Sequence, residues 1–583
     1  VENEGKVLKK LMKANYPAKI YDSFSAWEHK FIVEEYIEGD SLSIWMVNKY
    51  PFSSESNNEN YVKSSINILN QLIKAIKELH NLNIGFGDLQ PANIIVSKEE
   101  KIRLIDFETA GSINDSLSSV MTPGFIGSPK MNKGQGDWFA VLRIAKQMFI
   151  PIGSVQDISH NLDSVHNSWI KSTFGQEALH IIKKIENICK YQNSRPMKEF
   201  ITSQNKTVRN FNLLSVKEKL INCIKNDLRD EELLMHGDIR QYEMNSGKWN
   251  VLTGGFGVIM AVKRSGEWDE KFDKWIKSID YSNLGYLENG LYTGKIGIAN
   301  VLIESGYIKE AATIIKTINI EDSNQDISLA SGLSGLGLGF LSIYYELKEN
   351  IYLDESKKIG EMLENNFQDN TPVYTFDYDI VDKGFLTGWS GASLFMSCLY
   401  RATNNEKWLH LSRKMLNKEL EKTLFDDTGL FQVDDDFRIL PYLSSGGAGL
   451  AIPMIAYESI VNESIWRKEL EGISKIAKSK TFFNGGLFQG TTGIVAISNL
   501  LDNYLNKEDL TKSSLFTLNL HLIETENCIY LPGDSCFRVS SDLMSGTAGL
   551  LTVVDDIINN SYFSWLPLLN IDKLINLDKI TRR

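Results

Sequence analysis

The sequence predicts two domains, a mixed α+β domain over residues 1–207 and an all-α (α/α) toroid over residues 216–583 with seven inner helices inside seven outer ones. Three observations predict this. A chain of 583 residues exceeds what a single hydrophobic core organises. A motif of a hydroxyl or amide residue followed by GxxG returns seven times from Thr253 onward. The first half instead interleaves short apolar runs with one dense block of acidic and amide residues.

Composition narrows the function. With 43% hydrophobic and 23% charged residues the chain is a packed globular protein, which sets disorder aside. A net charge of -12 excludes a general nucleic-acid binder, which needs a basic face, and points to a small molecule or a peptide. Cys189, Cys223, Cys398, Cys528 and Cys536 are scattered and form no CxxC pair. That spacing argues against a disulfide framework or a thiolate zinc cluster and fits a reducing, cytoplasmic setting. No apolar run approaches the ~20 residues that span a bilayer, so no membrane partner is expected. The chain opens on Val1, and no signal peptide is visible.

The elements of the first domain follow in order. ENEGKVLKKL reads as a helix bearing Glu4, and FIVEEYIEGDSL (Phe31 to Leu42) as a strand running into a hinge. INILNQLIKAIKELH has helical periodicity. GDLQPANIIV (Gly87 to Val96) and RLIDFETA (Arg103 to Ala110) then place Asp88, Asn93 and Asp106 close together in sequence. TPGFIGSP (Thr122 to Pro129) is turn-rich, and GDWFAVLRIAKQMF (Gly136 to Phe149) is a buried helix carrying Asp137. The polar stretch Ser203 to Ser215 marks the boundary.

This order resembles the protein kinases, whose catalytic loop has the same five-residue step from aspartate to asparagine. The resemblance implies that Asp88 orients and deprotonates the attacking hydroxyl, and that Asn93 and Asp106 hold magnesium beside ATP or GTP. It implies that Glu4 pairs with the nucleotide-binding lysine. The chain departs from the pattern at Phe86-Gly87-Asp88 for HRD, Asp106-Phe107-Glu108 for DFG, and Lys130 for the acid of APE. The glycine-rich loop and strand lysine are absent, so the domain is expected to be incomplete at its start. The GDL…N…IDFE form is also similar to small-molecule phosphotransferases, and a pseudokinase scaffold is a further alternative.

In the second domain, TGGFG, TGKIG, SGLSG, TGWSG, SGGAG, QGTTG and SGTAG place their first glycines at Gly254, Gly294, Gly332, Gly388, Gly446, Gly490 and Gly546. Each interval accommodates two helices. The stretch after each motif, such as IANVLIES, LGFLSIYYEL or IVAISNLL, is apolar and predicts an inner helix. Charged stretches such as KWLHLSRKMLNKELEKTL predict outer helices. The Ser or Thr before each glycine is expected to cap its helix, leaving seven polar residues around one mouth. In MHGDIRQYEMN (Met235 to Asn245), which leads into the first motif, His236 receives no role.

Seven such motifs resemble the cyclase domain of the lanthipeptide synthetases, an α/α toroid. Zinc-dependent members read WCxG and CHG where this chain has LSSG and FQG, with Ser444, Phe488 and Gln489 at the ligand positions. Thr387 stands where many relatives carry His. These side chains do not replace thiolate or imidazole, so no zinc is expected. A kinase followed by a zinc-free toroid is similar to the class III synthetases. That resemblance implies phosphorylation of Ser or Thr in a precursor peptide, elimination by an upstream lyase, and guided addition of a Cys thiol to form lanthionine or labionin rings. The implied partner is the peptide, with its leader and its Ser- and Cys-containing core; a homo-oligomer is compatible with the sequence. Tyr292, Thr387, Trp389, Ser444 and Gln489 are the candidates to line the cyclase mouth. The alternative is a small-molecule phosphotransferase fused to a binding toroid.

Overall fold

The structure is a computed structural model that describes residues 1–53, 58–117, 122, 124–128, 130–159, 162–192, 212–373, 382–436, 438–534 and 536–576. The chain divides into two compact units. Part of the TPGFIGSP segment (Pro123, Pro129) and the boundary stretch 203–211 lie outside the described residues.

The first unit opens with α1 (Glu2–Lys10), acidic in its first turn and basic in its last, as the helix dipole favours. An antiparallel pair follows, β1 (Ile20–Ala26) and β2 (His29–Glu34), with Phe24 opposite Phe31. β3 (Asp40–Ser41) leads into α2 (Leu42–Lys49), whose Ile44 N–H donates to the Ser41 hydroxyl. The long α3 (Asn58–Asn81) buries an apolar stripe from Tyr61 to Leu79. β4 (Ile84–Gly85), β5 (Ile94–Val96), β6 (Ile102–Leu104) and β7 (Gly111–Ser112) then frame the catalytic-type loop. β5 sits between β3 and β6, and β4 pairs with β7. α4 (Lys133–Phe149) starts in a capping box between Asn132 and Gln135. α5 (Leu162–Gln192) is broken at Gly175, where φ is +88°.

The second unit is a ring of helix pairs. α6 (Leu213–Asp227) opens it. The inner helices are α7 (Gly255–Arg264), α9 (Lys295–Glu304), α11 (Leu333–Leu347), α13 (Trp389–Thr403), α15 (Gly447–Val461), α17 (Thr491–Leu505) and α19 (Thr547–Asn559). Among the described residues six outer helices alternate with them: α8 (Glu270–Ser278), α10 (Ile308–Ile315), α12 (Asn350–Gln368), α14 (Glu406–Leu420), α16 (Arg467–Ser474) and α18 (Leu510–Leu518). The seventh outer place, against α19, is filled by α6 from the front of the unit. Each inner helix touches the next, and α19 returns to α7, so the ring closes. Small antiparallel sheets, β8 (Thr423–Phe425) with β9 (Phe431–Asp434) and β10 (Ile439–Leu440), and β11 (Ile523–Glu524) with β12 (Ile529–Pro532) and β13 (Val539–Ser540), extend two of the loops. A short α20 (Ile571–Ile575) ends the described chain.

The recurring motif has two physical causes. The residue two before each first glycine joins a closed circle of backbone hydrogen bonds. Leu252 N–H donates to Tyr292, Tyr292 to Ala330, Ala330 to Leu386, Leu386 to Ser444, Ser444 to Phe488, Phe488 to Met544, and Met544 back to Leu252, at 2.9 to 3.4 Å. The second glycine of each motif packs on the carbonyl six residues upstream. A Cβ on Gly297 would lie 1.8 Å from Leu291 O, and one on Gly391 would lie 2.5 Å from Phe385 O and 2.9 Å from Leu329 Cβ of the preceding motif. Only glycine lets backbone and neighbour approach so closely.

The expectation that the Ser and Thr residues cap the inner helices is corrected. The first glycine is itself the N-cap in all seven, with extended backbone and no side-chain cap. The hydroxyl one residue earlier turns back into its own loop: Thr387 donates to Lys383 O at 2.9 Å, and Ser545 to Asp542 at 3.3 Å. Those motif residues are buried, apart from half-buried Gln489, so they do not ring an open mouth.

Candidate active site

In the first unit, Asp137 on α4 fixes the loop that carries Asp88. Its carboxylate accepts from Phe86 N at 2.8 Å and Gly87 N at 2.9 Å, and lies 2.8 Å from His80 Nε2. Gly87 has φ +92°, and a Cβ there would meet Thr109 O at 2.8 Å, which explains glycine at this position. Asp137 is almost wholly buried. Asp137→Ala would leave two buried N–H groups unpaired, and hydrogen bonds to a charged acceptor contribute about 1.5–3 kcal/mol each. The variant is expected to destabilise the unit by about 3 kcal/mol or more, read as a lower urea midpoint.

Beyond this clamp the loop presents its polar groups. Asp88 Oδ1 accepts from Thr122 N and Oδ2 from Gln90 Nε2, both at 3.2 Å. Two neutral donors orient the carboxylate. Asn93 is buried and donates Nδ2 to Asp88 O at 3.0 Å, which leaves its amide oxygen as an acceptor. Asp106 is exposed in the left-handed region at φ +65°, which Asp tolerates better than most residues. An amide oxygen and a carboxylate are the hard donors that magnesium takes, so Asn93 and Asp106 fit that ion. Glu4 on α1 accepts from Phe107 N at 3.0 Å, while Asn3 donates to Glu108 O at 2.9 Å and Ala110 O at 2.8 Å. Burial, Asp106 and Glu108 raise the Glu4 carboxyl above its usual range, against the pull of the Phe107 N–H. Gln90, Asn3 and the Thr122 N–H were not legible as site groups, because their partners are set by the fold of the loop.

In the second unit the five mouth candidates separate. Tyr292 is fully buried inside the ring, its hydroxyl donating to Trp565 O at 3.3 Å and its ring 5.1 Å from that of Phe488. Trp565, in the segment after α19, also packs on Phe385 and Phe488 at 6.2 and 6.0 Å between centroids. That segment is held by Arg264, which donates to the carbonyls of Ser564, Leu566 and Leu568 at 2.9, 2.6 and 2.9 Å. Tyr292 is therefore part of an aromatic filling, and its hydroxyl is driven well above its ordinary pKa by burial. Trp389 is buried against Phe367 of α12, with centroids 5.1 Å apart, between the two helix layers. Ser444 is buried in the hydrogen-bonded circle, Thr387 is buried one residue after its member Leu386, and Gln489 is half-buried. Among the described residues no group of three or more His, Cys, Asp or Glu side chains is placed to hold a metal, nor is any helix long and apolar enough to cross a membrane.

Several buried carboxyls of this unit are raised. Glu419 of α14 reaches the start of α13, accepting from the N–H groups of Gly384, Trp389 and Ser390, yet burial pushes it up to about 7. Burial likewise takes Asp534 to about 7, despite Arg240 at 2.9 Å, and Asp542 and Asp556 to about 6. A carboxyl raised in the folded state stabilises fully below its unfolded pKa of about 4 and loses that contribution as pH rises through the folded value. The thermal midpoint of the unit is expected to fall between about pH 4 and pH 7, with a shallower slope in Glu419→Gln.

Comparison with known proteins adds to this geometry. Residues 1–203 match the family described as protein kinase domain. The chain is 21% identical to the probable SapB synthase of Streptomyces coelicolor over 96% of this chain and 65% of that protein. It is 26% identical to a cAMP-dependent protein kinase catalytic subunit-like protein of Caenorhabditis elegans over 34% of this chain and 50% of that one. It is 29% identical to the cAMP-dependent protein kinase catalytic subunit PRKX of Mus musculus over 24% and 39%. The chain thus spans 65% of the synthase and half or less of these kinases. Both findings agree with the class III resemblance carried by the motifs. Residues 1–203 are a protein kinase domain, set in a chain that is similar over nearly its whole length to a SapB synthase.

Proposed function

We propose that the chain is the kinase and cyclase part of a class III-like lanthipeptide synthetase, with residues 1–207 phosphorylating a precursor peptide and residues 216–583 guiding ring closure. The observation that carries this reading is the joint occurrence of the Asp88, Asn93 and Asp106 loop with a closed ring of seven glycine motifs. Asp88, held by Thr122 N and Gln90, accepts the proton of a peptide Ser or Thr hydroxyl. ATP or GTP with magnesium supplies the phosphoryl group and offsets its charge. Asn93 and Asp106 are the residues that would hold the metal, and Glu4 tethers α1 to the segment that carries Asp106. Phosphorylation turns a poor leaving group into one that a lyase eliminates to give an alkene.

The toroid needs no zinc in this reading. A free thiol with pKa near 8.5 is only a few per cent thiolate at neutral pH. Holding the thiol and alkene in near-attack geometry makes up much of the missing rate. The test is incubation of the full-length protein with magnesium, nucleotide and a candidate precursor peptide, followed by mass spectrometry. Phosphorylated or dehydrated peptide supports the reading. Turnover on amino sugars with an unmodified peptide supports a small-molecule phosphotransferase instead.

A further inference from the structure

The loop between α6 and α7 and the connection between β12 and β13 bring together three side chains that the reading above leaves unused. His236 Nδ1 lies 3.0 Å from Tyr242 Oη, and Arg538 Nη1 donates to the same oxygen at 3.3 Å. Tyr242 is 56% exposed, so its phenol is open to a substrate while bonded to both neighbours. Exposed Ile239 and Phe537 stand next in sequence to Arg240 and Arg538 and offer apolar footing for a peptide.

The backbone under this cluster is pinned. His236 N donates to Asp227 Oδ2 at 3.3 Å, and Ser541 N donates to His236 O at 3.0 Å. Gly237 N donates to Gln241 Oε1 at 2.9 Å, and Gln241 Nε2 donates to Thr253 O at 2.9 Å. Asp238 N donates to Asp542 Oδ2 at 2.7 Å. Thr253 belongs to the first glycine motif and Asp542 leads into the seventh. The three side chains therefore stand over the seam where the ring closes, at the motif end of the inner helices. Burial lowers the His236 imidazole, with Arg538 and Arg229 acting the same way and Asp227 and Glu231 opposing, so it favours the neutral, proton-accepting form.

From this geometry we infer that His236, Tyr242 and Arg538 form a proton-transfer site for addition of a peptide thiol to a dehydrated residue, an inference that rests on the proposed cyclase reading of this unit. The thiol proton passes to Tyr242 Oη as the phenol's own proton passes to His236 Nδ1. The guanidinium of Arg538 offsets the charge left on sulfur. Sulfur bonds the β-carbon of the alkene, and the π electrons move to the α-carbon and its carbonyl as an enolate. The imidazolium then returns the proton, through the phenol, to the α-carbon. One S–H and one C=C π bond are exchanged for one C–S and one C–H bond, and no co-reactant is consumed.

The test uses the whole chain and a synthetic peptide holding one cysteine and one dehydroalanine, without nucleotide. Ring closure is followed as loss of alkylatable thiol. Tyr242→Phe, His236→Gln and Arg538→Gln are each expected to slow closure about 100-fold or more, the range of general acid–base catalysis. The wild-type rate is expected to rise with pH through the imidazole range, and that rise is expected to be lost in His236→Gln. Tyr242→Phe removes one exposed hydroxyl, so an unchanged thermal midpoint separates lost chemistry from lost fold. Wild-type closure faster than the spontaneous rate but unaltered in all three variants would overturn the cluster and leave the cyclase reading standing. Closure no faster than without protein would overturn both.

Discussion

Asp88→Asn is expected to lower the turnover of peptide phosphorylation by about 100- to 10,000-fold in the full-length protein, with little change in the apparent affinity for nucleotide. The separation follows from where the groups stand. Asp88 is held by Thr122 N and Gln90 Nε2; under the proposed function it faces the hydroxyl to be phosphorylated, whereas Asn93 and Asp106 would hold the metal. The amide of the variant keeps one acceptor oxygen for these donors, so the loop survives and the lost group is the base. Asp106→Asn is expected to behave differently, weakening magnesium-dependent nucleotide binding first. Steady-state kinetics at several nucleotide concentrations distinguishes the two. A loss confined to KM in Asp88→Asn would contradict the assigned role.

The second large effect is on the ring. Gly391→Ala would push a methyl group to within 2.5 Å of Phe385 O and 2.9 Å of Leu329 Cβ, each next in sequence to a member of the closed backbone circle. Gly297→Ala is worse placed, at 1.8 Å from Leu291 O. Overpacking of a close-packed site costs about 1–3 kcal/mol and more where backbone must move. Each variant is therefore expected to destabilise the second unit by about 3 kcal/mol or more, seen as a lower urea midpoint with little change in slope. Gly285→Ala serves as the control. Its nearest neighbour would be Thr317 Cβ at 3.9 Å, and it is expected to stay within about 0.5 kcal/mol of wild type. Equal stability of Gly391→Ala and Gly285→Ala would contradict the packing account of the repeat.

What was legible in the sequence was what is local to it. The step from Asp88 to Asn93 is set within one loop, so its chemistry can be read from residue order, and the structure returns the mutual contact of those two residues. The seven motifs were legible as a repeat because each one meets the same two constraints. The roles within a motif were not. Thr387 and Ser545 look like caps, but the capping position belongs to the glycine that follows, and the hydroxyl turns back on its own loop. The start of α13 is instead served by Glu419, from an outer helix, a tertiary contact that no local pattern announces. Tyr292 and Trp389 stand beside motif glycines in sequence and were candidates for the mouth. The direction of a side chain near a helix start depends on what packs there, and here Trp565 fills the ring beside Tyr292 while Phe367 receives Trp389. The surroundings of His236 are likewise tertiary, since Arg538, far along the chain, donates to its partner Tyr242.

Under the proposed function one chain joins a phosphorylating unit to a ring that closes thioethers. The most direct measurement is the number of free thiols on a precursor peptide after incubation with the full-length protein, with and without nucleotide and magnesium, counted by alkylation and mass spectrometry. Thiols are expected to be consumed in step with dehydration, only when nucleotide is present and only when Asp88 is intact. A peptide that gains phosphate or loses water while every thiol stays free would contradict that function.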